Sequence, residues 1–181
     1  MNEDTLDCIT TYSKIRFSPA APNTSVIKLM DIAHSLSLLC RANGHFEHFF
    51  SVAQHCINCA AEARARGYSK KVALACLLHD ASEAYISDIT RPVKRKLLEY
   101  VAIESRLQEC IWKAFRISLN QEETKQVYAV DDAMLYAEFD TLMGEKVFPE
   151  APDILSDPDF SEKDFKKVEQ EFVMNCMELM G

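Results

Sequence analysis

Val72-Ala73-Leu74-Ala75-Cys76-Leu77-Leu78-His79-Asp80-Ala81-Ser82-Glu83 is the stretch that decides the architecture. Residues 72–78 carry no polar side chain, so a helix through them has no wet face and must be buried all round. The run then ends on His79-Asp80. A carboxylate taken out of water needs a partner. A divalent cation compensates such a pair best, because neutral imidazole and carboxylate are both metal ligands.

Ser69 caps this helix, which is predicted to run to about Tyr85. Upstream, Ser51 opens a helix that Gly67 closes. Before it, Thr24 or Ser25 caps a helix carrying Ile27, Met30, Ile32, Ala33 and Leu36, stopped by Gly44. Residues 1–23 read as extended and irregular. Downstream, Asp88 to Pro92 is a break, and Pro92 suits the first turn of a long helix to about Ile117. Asn120 with Glu123 is a capping-box-like start for a helix ending at Gly144. Residues 145–160, with Pro149, Pro152 and Pro158, read as a loop. Ser161 starts a last amphipathic helix with Phe165, Val168, Phe172, Val173 and Met177 inward. No segment sustains period-two alternation. The expectation is an all-α, single-domain bundle of about six helices spanning residues 1–181.

Composition narrows the function classes. The 181 residues are 48% hydrophobic and 27% charged, with 4 glycines, as in a globular helical protein. Twenty basic against 28 acidic residues give −8, which argues against a general binder of long nucleic acid or anionic membrane. There is no basic–apolar–small leader pattern, and the apolar run at 72–78 is far below the ~20 residues of a membrane span, so a cytoplasmic protein is expected. The seven cysteines are odd in number and sit mostly in apolar helical stretches, as reduced thiols do. Cys56-x-x-Cys59 has no second pair and reads as core rather than as a zinc knuckle or redox dithiol.

Of the five histidines, His55 shares a helix face with Val52 and Cys59 and points inward. One inward histidine reads as a hydrogen-bonded core residue; two beside a buried aspartate read as a ligand set. Asp131 and Asp132 fall mid-helix among Val127, Val130, Met134 and Leu135, where aspartate is a poor helix former. One of the two should face the core, as a salt-bridge partner or as a fourth ligand.

His55 … His79-Asp80 … Asp131 resembles the H…HD…D signature of the HD-domain metal-dependent phosphohydrolases. The likeness extends to "MDIAHSLSLLCRANGHFEHFFSVAQH" and "ACLLHDASEAYISDITRPVK", which resemble a subgroup of bacterial 5′-deoxynucleotidases and phage deoxynucleotide triphosphohydrolases, over residues 9–143. In that family the last aspartate precedes a D-x-x-x-L-x-x-E pattern. Aligning Leu135 and Glu138 puts it at Asp131 rather than Asp132.

The resemblance implies a metal held by His55, His79, Asp80 and Asp131. Such nitrogen and oxygen donors admit zinc, manganese, cobalt, iron or nickel. No histidine follows His79, which favours a single resident ion, with magnesium arriving on substrate phosphates. It further implies catalytic roles for Glu83, one helical turn beyond His79, and for Asp88. Lys94, in a D-x-x-x-P-x-K pattern, together with Arg91, Arg41, His45 and Arg16, are candidate substrate contacts through charge-assisted hydrogen bonds. His34 reads equally as structural. Ser87, where the family often has glycine, and Thr90-Arg91, where it often has proline, are departures that bear on the pocket's shape.

The implied activity is hydrolysis of phosphate esters of nucleotides, foremost (deoxy)nucleoside 5′-monophosphates. The alternatives are triphosphate release from a deoxynucleotide, a non-catalytic nucleotide- or metal-sensing regulator, and a structural metal protein. Glu83 and Asp88 beside the ligands speak against the last two, since holding a metal requires neither. Met174, Met177 and Met180 on the last helix would pack within the chain or across a homodimer.

Overall fold

The computed structural model describes residues 7–181; the part of the extended-chain expectation that falls on 1–6 lies outside the described residues. Residues 9–17 are not irregular. β1 (Ile9–Thr10) and β2 (Arg16–Phe17) pair antiparallel, Ile9 opposite Phe17 and Thr10 opposite Arg16. Buried Phe17 stacks on Tyr85 with ring centroids 4.3 Å apart, which pins the hairpin to the core.

Thr24–Val26 form a 3-10 turn capped by Asn23, and α1 runs from Leu29 to Leu38. The first helix thus starts later and stops earlier than expected. The chain does not reach Gly44 as α-helix because Ala42 and Asn43 adopt positive φ of 50° and 51°, within a 3-10 turn over Arg41–Gly44. α2 (Val52–Ala65) opens with the Ser51–Gln54 capping box, and α3 (Lys70–Leu78) with the Ser69 cap. All of residues 72–78 are buried, as their composition demands.

α3 ends at Leu78 rather than near Tyr85. Turns then carry His79 and Asp80 into the one-turn helix α4 (Glu83–Ile86). The long helix expected from Pro92 is likewise divided, into one-turn α5 (Arg91–Lys94) and α6 (Leu98–Ala114). α7 (Gln121–Met143) has its Asn120–Glu123 capping box and closes on left-handed Gly144, φ 69°. α8 (Phe165–Met180) is capped by Asp164, three residues after the expected Ser161.

The described residues therefore form an all-α bundle with six helices of nine residues or more, two single-turn helices and one small hairpin. α2 and α3 pack against each other at the centre, with α7 and α8 against both and α1 against α2 and α8. α8 buries Val168, Phe172, Cys176 and Leu179; Met177, expected inward, is exposed, as are Met174 and Met180. Among the described residues, no helix is long and apolar enough to cross a membrane.

The 145–160 loop is fastened by a polar ladder on α2. Gln54, Asn58 and Glu62, one turn apart, bond in order to the Ser161 carbonyl, the Asp159 backbone, and Leu155 and Ser156. Glu62 is fully buried yet accepts from two backbone N–H groups, the Ser156 hydroxyl and Arg66. Its lone pairs are thus satisfied without water.

Candidate metal centre

His55 lies one turn into α2, fully buried, because the Ser51 cap sets the helix phase that turns this face inward. Its Nδ1 donates to Glu138 Oε1 on α7 at 2.5 Å. The His79 Nδ1 donates to the Cys76 carbonyl at 2.8 Å, and a carbonyl can only accept, so the proton sits on Nδ1. Each ring is thereby held with Nε2 turned to a common point. The two Nε2 atoms are 3.2 Å apart.

Two carboxylates meet the same point. Asp80 Oδ2 is 3.3 Å from His79 Nε2 and 3.8 Å from His55 Nε2. Asp131 Oδ1 is 3.2 Å from His55 Nε2 and 3.6 Å from His79 Nε2. Asp132 turns away, its side chain 49% exposed and bonded to Arg91. Three non-adjacent segments (α2, the end of α3, and mid-α7) thus converge.

The charges are mutually dependent. Burial disfavours the imidazolium of His79, but the Asp80 charge and the bond to Asp131 hold its pKa well above the usual imidazole value. Burial likewise opposes ionisation of Asp131, yet its bonds to His55 and His79 keep it well below the usual carboxylate range. A cation bound here would compete with protons for these nitrogens and carboxylates.

Two thiols border this centre. The buried His/Cys/Asp group could hold a metal ion, with His55, Cys59 and His79 in one combination and Cys56, His79 and Asp80 in another. Burial pushes the Cys56 thiol up to about 11 and the Cys59 thiol well above its ordinary value. The Cys59 Sγ is 3.5 Å from His55 Nε2 and 3.9 Å from Nδ1, so it lies against the ring rather than along the Nε2 lone pair.

Arg41 sits deeper than a substrate contact at a pocket mouth would. Its Nε donates to Glu138 Oε2 at 3.2 Å, and an Nη lies 3.7 Å from Asp80. The other Nη is 3.2 and 3.3 Å from the two His55 nitrogens, which places it on the ring face.

A cavity of about 430 Å³ opens over the centre. Asp80, Asp131, Arg41, Glu83, Asp88, Arg91 and Lys94 give it charged lining, and Leu135, Phe139 and Val147 give it apolar lining. Glu83 is buried, and its Oε2 has no hydrogen-bond partner among the described residues. Burial, reinforced by the charges of Asp80 and Asp88, holds its pKa well above the usual carboxylate range. Arg91 bridges Asp131 Oδ2 at 3.1 Å and Asp132 Oδ1 at 3.2 Å, while Lys94 donates to Glu104 at 2.6 Å. His79, Asp80, Lys94 and Asp131 also line a wider groove of about 830 Å³ along α6 and α7.

Two expected contacts do not join this group. His45 is exposed at the end of the Arg41–Gly44 turn, and Arg16 is exposed in β2; neither lines the cavity. His34 belongs elsewhere, bonded to Glu169. Glu138 is the buried acid that joins this group through His55 and Arg41 and that the sequence pattern contained without a role. Its signal was spacing: seven residues from Asp131, an acid on the face of α7 that also buries Met134.

No family model matches the chain. It is similar to the uncharacterized protein YfdR of Escherichia coli (strain K12), 40% identical over 103 residues, which are 57% of this chain and 55% of that protein. It is also similar to the uncharacterized protein RCAP_rcc00048 of Rhodobacter capsulatus, 35% identical over 100 residues, 52% of this chain and 50% of that one. The chain spans about half the length of the curated relatives it matches.

Proposed function

We propose that this chain is a metal-dependent phosphohydrolase of the HD-domain kind, cleaving the phosphate of (deoxy)nucleoside 5′-monophosphates. The observation that carries this reading is the convergence of His55 Nε2, His79 Nε2, Asp80 Oδ2 and Asp131 Oδ1, with donor separations of 3.2–3.8 Å. A tetrahedral ion bonded at about 2.0–2.2 Å requires its ligands roughly 3.4 Å apart, and the one His–His and four His–Asp separations bracket that value.

The two aspartates are the better completing ligands than the two thiols. They are ionised already, whereas each thiol must first lose a strongly held proton. Nitrogen and oxygen donors of this kind suit zinc, manganese, cobalt, iron or nickel.

A divalent ion bound here supplies an acidified water and polarises a phosphoryl oxygen. The chain's own residues do the rest. Glu83, buried near Asp80 and with its pKa held above the usual carboxylate range, is placed to hold the attacking water or exchange its proton. Asp88 lines the same cavity and serves the leaving oxygen. Arg91 and Lys94, each tethered to an acid, exchange that partner for a phosphate oxygen. The apolar lining formed by Leu135, Phe139 and Val147 receives the flat, less polar nucleoside.

Phosphate release from ribo- and deoxynucleotides, mono- through triphosphate, after chelation and return of single metals, tests this. Metal-restored cleavage of monophosphates is expected. Release of tripolyphosphate would move the assignment to triphosphohydrolase, and metal binding without turnover of any nucleotide would refute the enzyme.

A further inference from the structure

The methionines of α8 had two places open to them, inside this chain or against another copy, and among the described residues their exposure removes the first. α8 buries Val168, Phe172, Cys176 and Leu179 and packs on α1, α2 and α3. Met174, Met177 and Met180 stand on its outer side, 64%, 65% and 54% exposed. Spaced three residues apart, they make one apolar strip along the second half of the helix. α1, packed beside α8, exposes Met30 and Leu38 as well. Contiguous apolar surface marks a contact face, and methionine is enriched at such faces.

The charges on the same side of α8 say what covers the strip. Lys166 and Lys167 are exposed in its first turn and Glu178 near its end, with Met174 and Met177 between them. Glu178 meets Arg64 at 3.5 Å, yet its side chain stays 69% exposed and open to a second cation. A face that is basic at its start, apolar in its middle and acidic toward its end complements itself only when reversed. A parallel copy would set lysine against lysine; an antiparallel one sets lysine against glutamate.

We propose that this face holds a second copy of the chain, paired antiparallel through α8 about a two-fold axis near Met174. Met177 and Met180 of each copy then lie along the aliphatic stems of the partner's Lys167 and Lys166, whose ammonium groups reach Glu178. The two-fold axis makes every such contact twice. The proposal is independent of the phosphohydrolase reading, because no residue of the metal centre lies on α8.

Sedimentation velocity of the full chain at rising concentration reads the pairing directly, and a monomer–dimer equilibrium is expected. Met174→Lys with Met177→Lys should leave a monomer throughout, with unchanged helical circular dichroism, since both positions face solvent in the single chain. Lys166→Glu with Lys167→Glu should raise the dimer dissociation constant roughly threefold or more at low salt. Adding Glu178→Lys to that pair should restore it, because the reversed charges again meet their opposites. A dimer that keeps full strength without the two methionines, or a charge reversal that Glu178→Lys does not rescue, would overturn the proposal. So would a chain that stays monomeric at every concentration, which would leave the strip to a different partner.

Discussion

Glu138 accepts the Nδ1 proton of His55 at 2.5 Å across a sequence separation of 83 residues, and the same carboxylate takes Arg41 on its other oxygen. One buried acid thus sets the tautomer of a candidate ligand and anchors the cation on its ring. Glu138→Ala should weaken metal binding by roughly 10–100-fold, the range for removing a partner behind a ligand. Glu138→Gln, which can still accept from His55, should recover part of that loss in the same calorimetric titration.

The aspartate doublet gives a sharper comparison. Asp131 faces the two Nε2 atoms, while Asp132 faces Arg91 and solvent. Asp131→Asn should cost more metal affinity than the roughly 10–100-fold of an outer-shell change. Asp132→Asn should leave metal affinity unchanged. Loss in both, measured by metal titration, would remove the distinction.

Glu83→Gln keeps the shape of the carboxyl group and removes its proton chemistry. Metal content and thermal stability should be retained. Turnover should fall by about 10²–10⁴-fold, as for loss of a general acid–base group. A variant with full rate would show that Glu83 only fills space.

Glu62 governs the strap at 153–161 rather than the centre. Burial opposes its charge, but bonds from Arg66 and Ser156 hold its pKa below the usual carboxylate value. A carboxylate depressed on folding stabilises fully above its unfolded pKa of about 4.3, and that contribution is lost as pH falls through the lower folded value. Glu62→Ala should cost about 2–3 kcal/mol at neutral pH. Urea unfolding of both proteins at decreasing pH should show the difference shrinking only below that unfolded value.

The starts of α2, α3 and α7 were legible because their caps are local, whereas α1 and α8 begin later than expected and the helix expected from Pro92 is divided. Ser51, Ser69 and Asn120 each bond a backbone N–H within three residues, so nothing distant can move them. Helix ends were less so. His79 and Asp80 leave α3 although the apolar pattern continues into Ala81, and the first helix stops at Leu38 with no breaker before Gly44. In both places tertiary packing sets the boundary. The hairpin escaped notice because two-residue strands cannot show alternation, and its anchor is the distant Phe17–Tyr85 stack. Among the site residues, His55, His79, Asp80 and Asp131 were readable from inward spacing and the H…HD…D pattern, and they meet. Arg16 rested on the resemblance and His45 on its place in the stretch leading to His55, and neither lines the cavity. Glu138 was hidden because its partner His55 lies on another helix.

Crystals grown with manganese, measured where that ion scatters anomalously, decide whether the centre exists. One strong anomalous peak is expected within bonding distance, about 2.0–2.3 Å, of His55 Nε2, His79 Nε2, Asp80 and Asp131. A peak bonded elsewhere, or none at these four groups with the metal in excess, would contradict it.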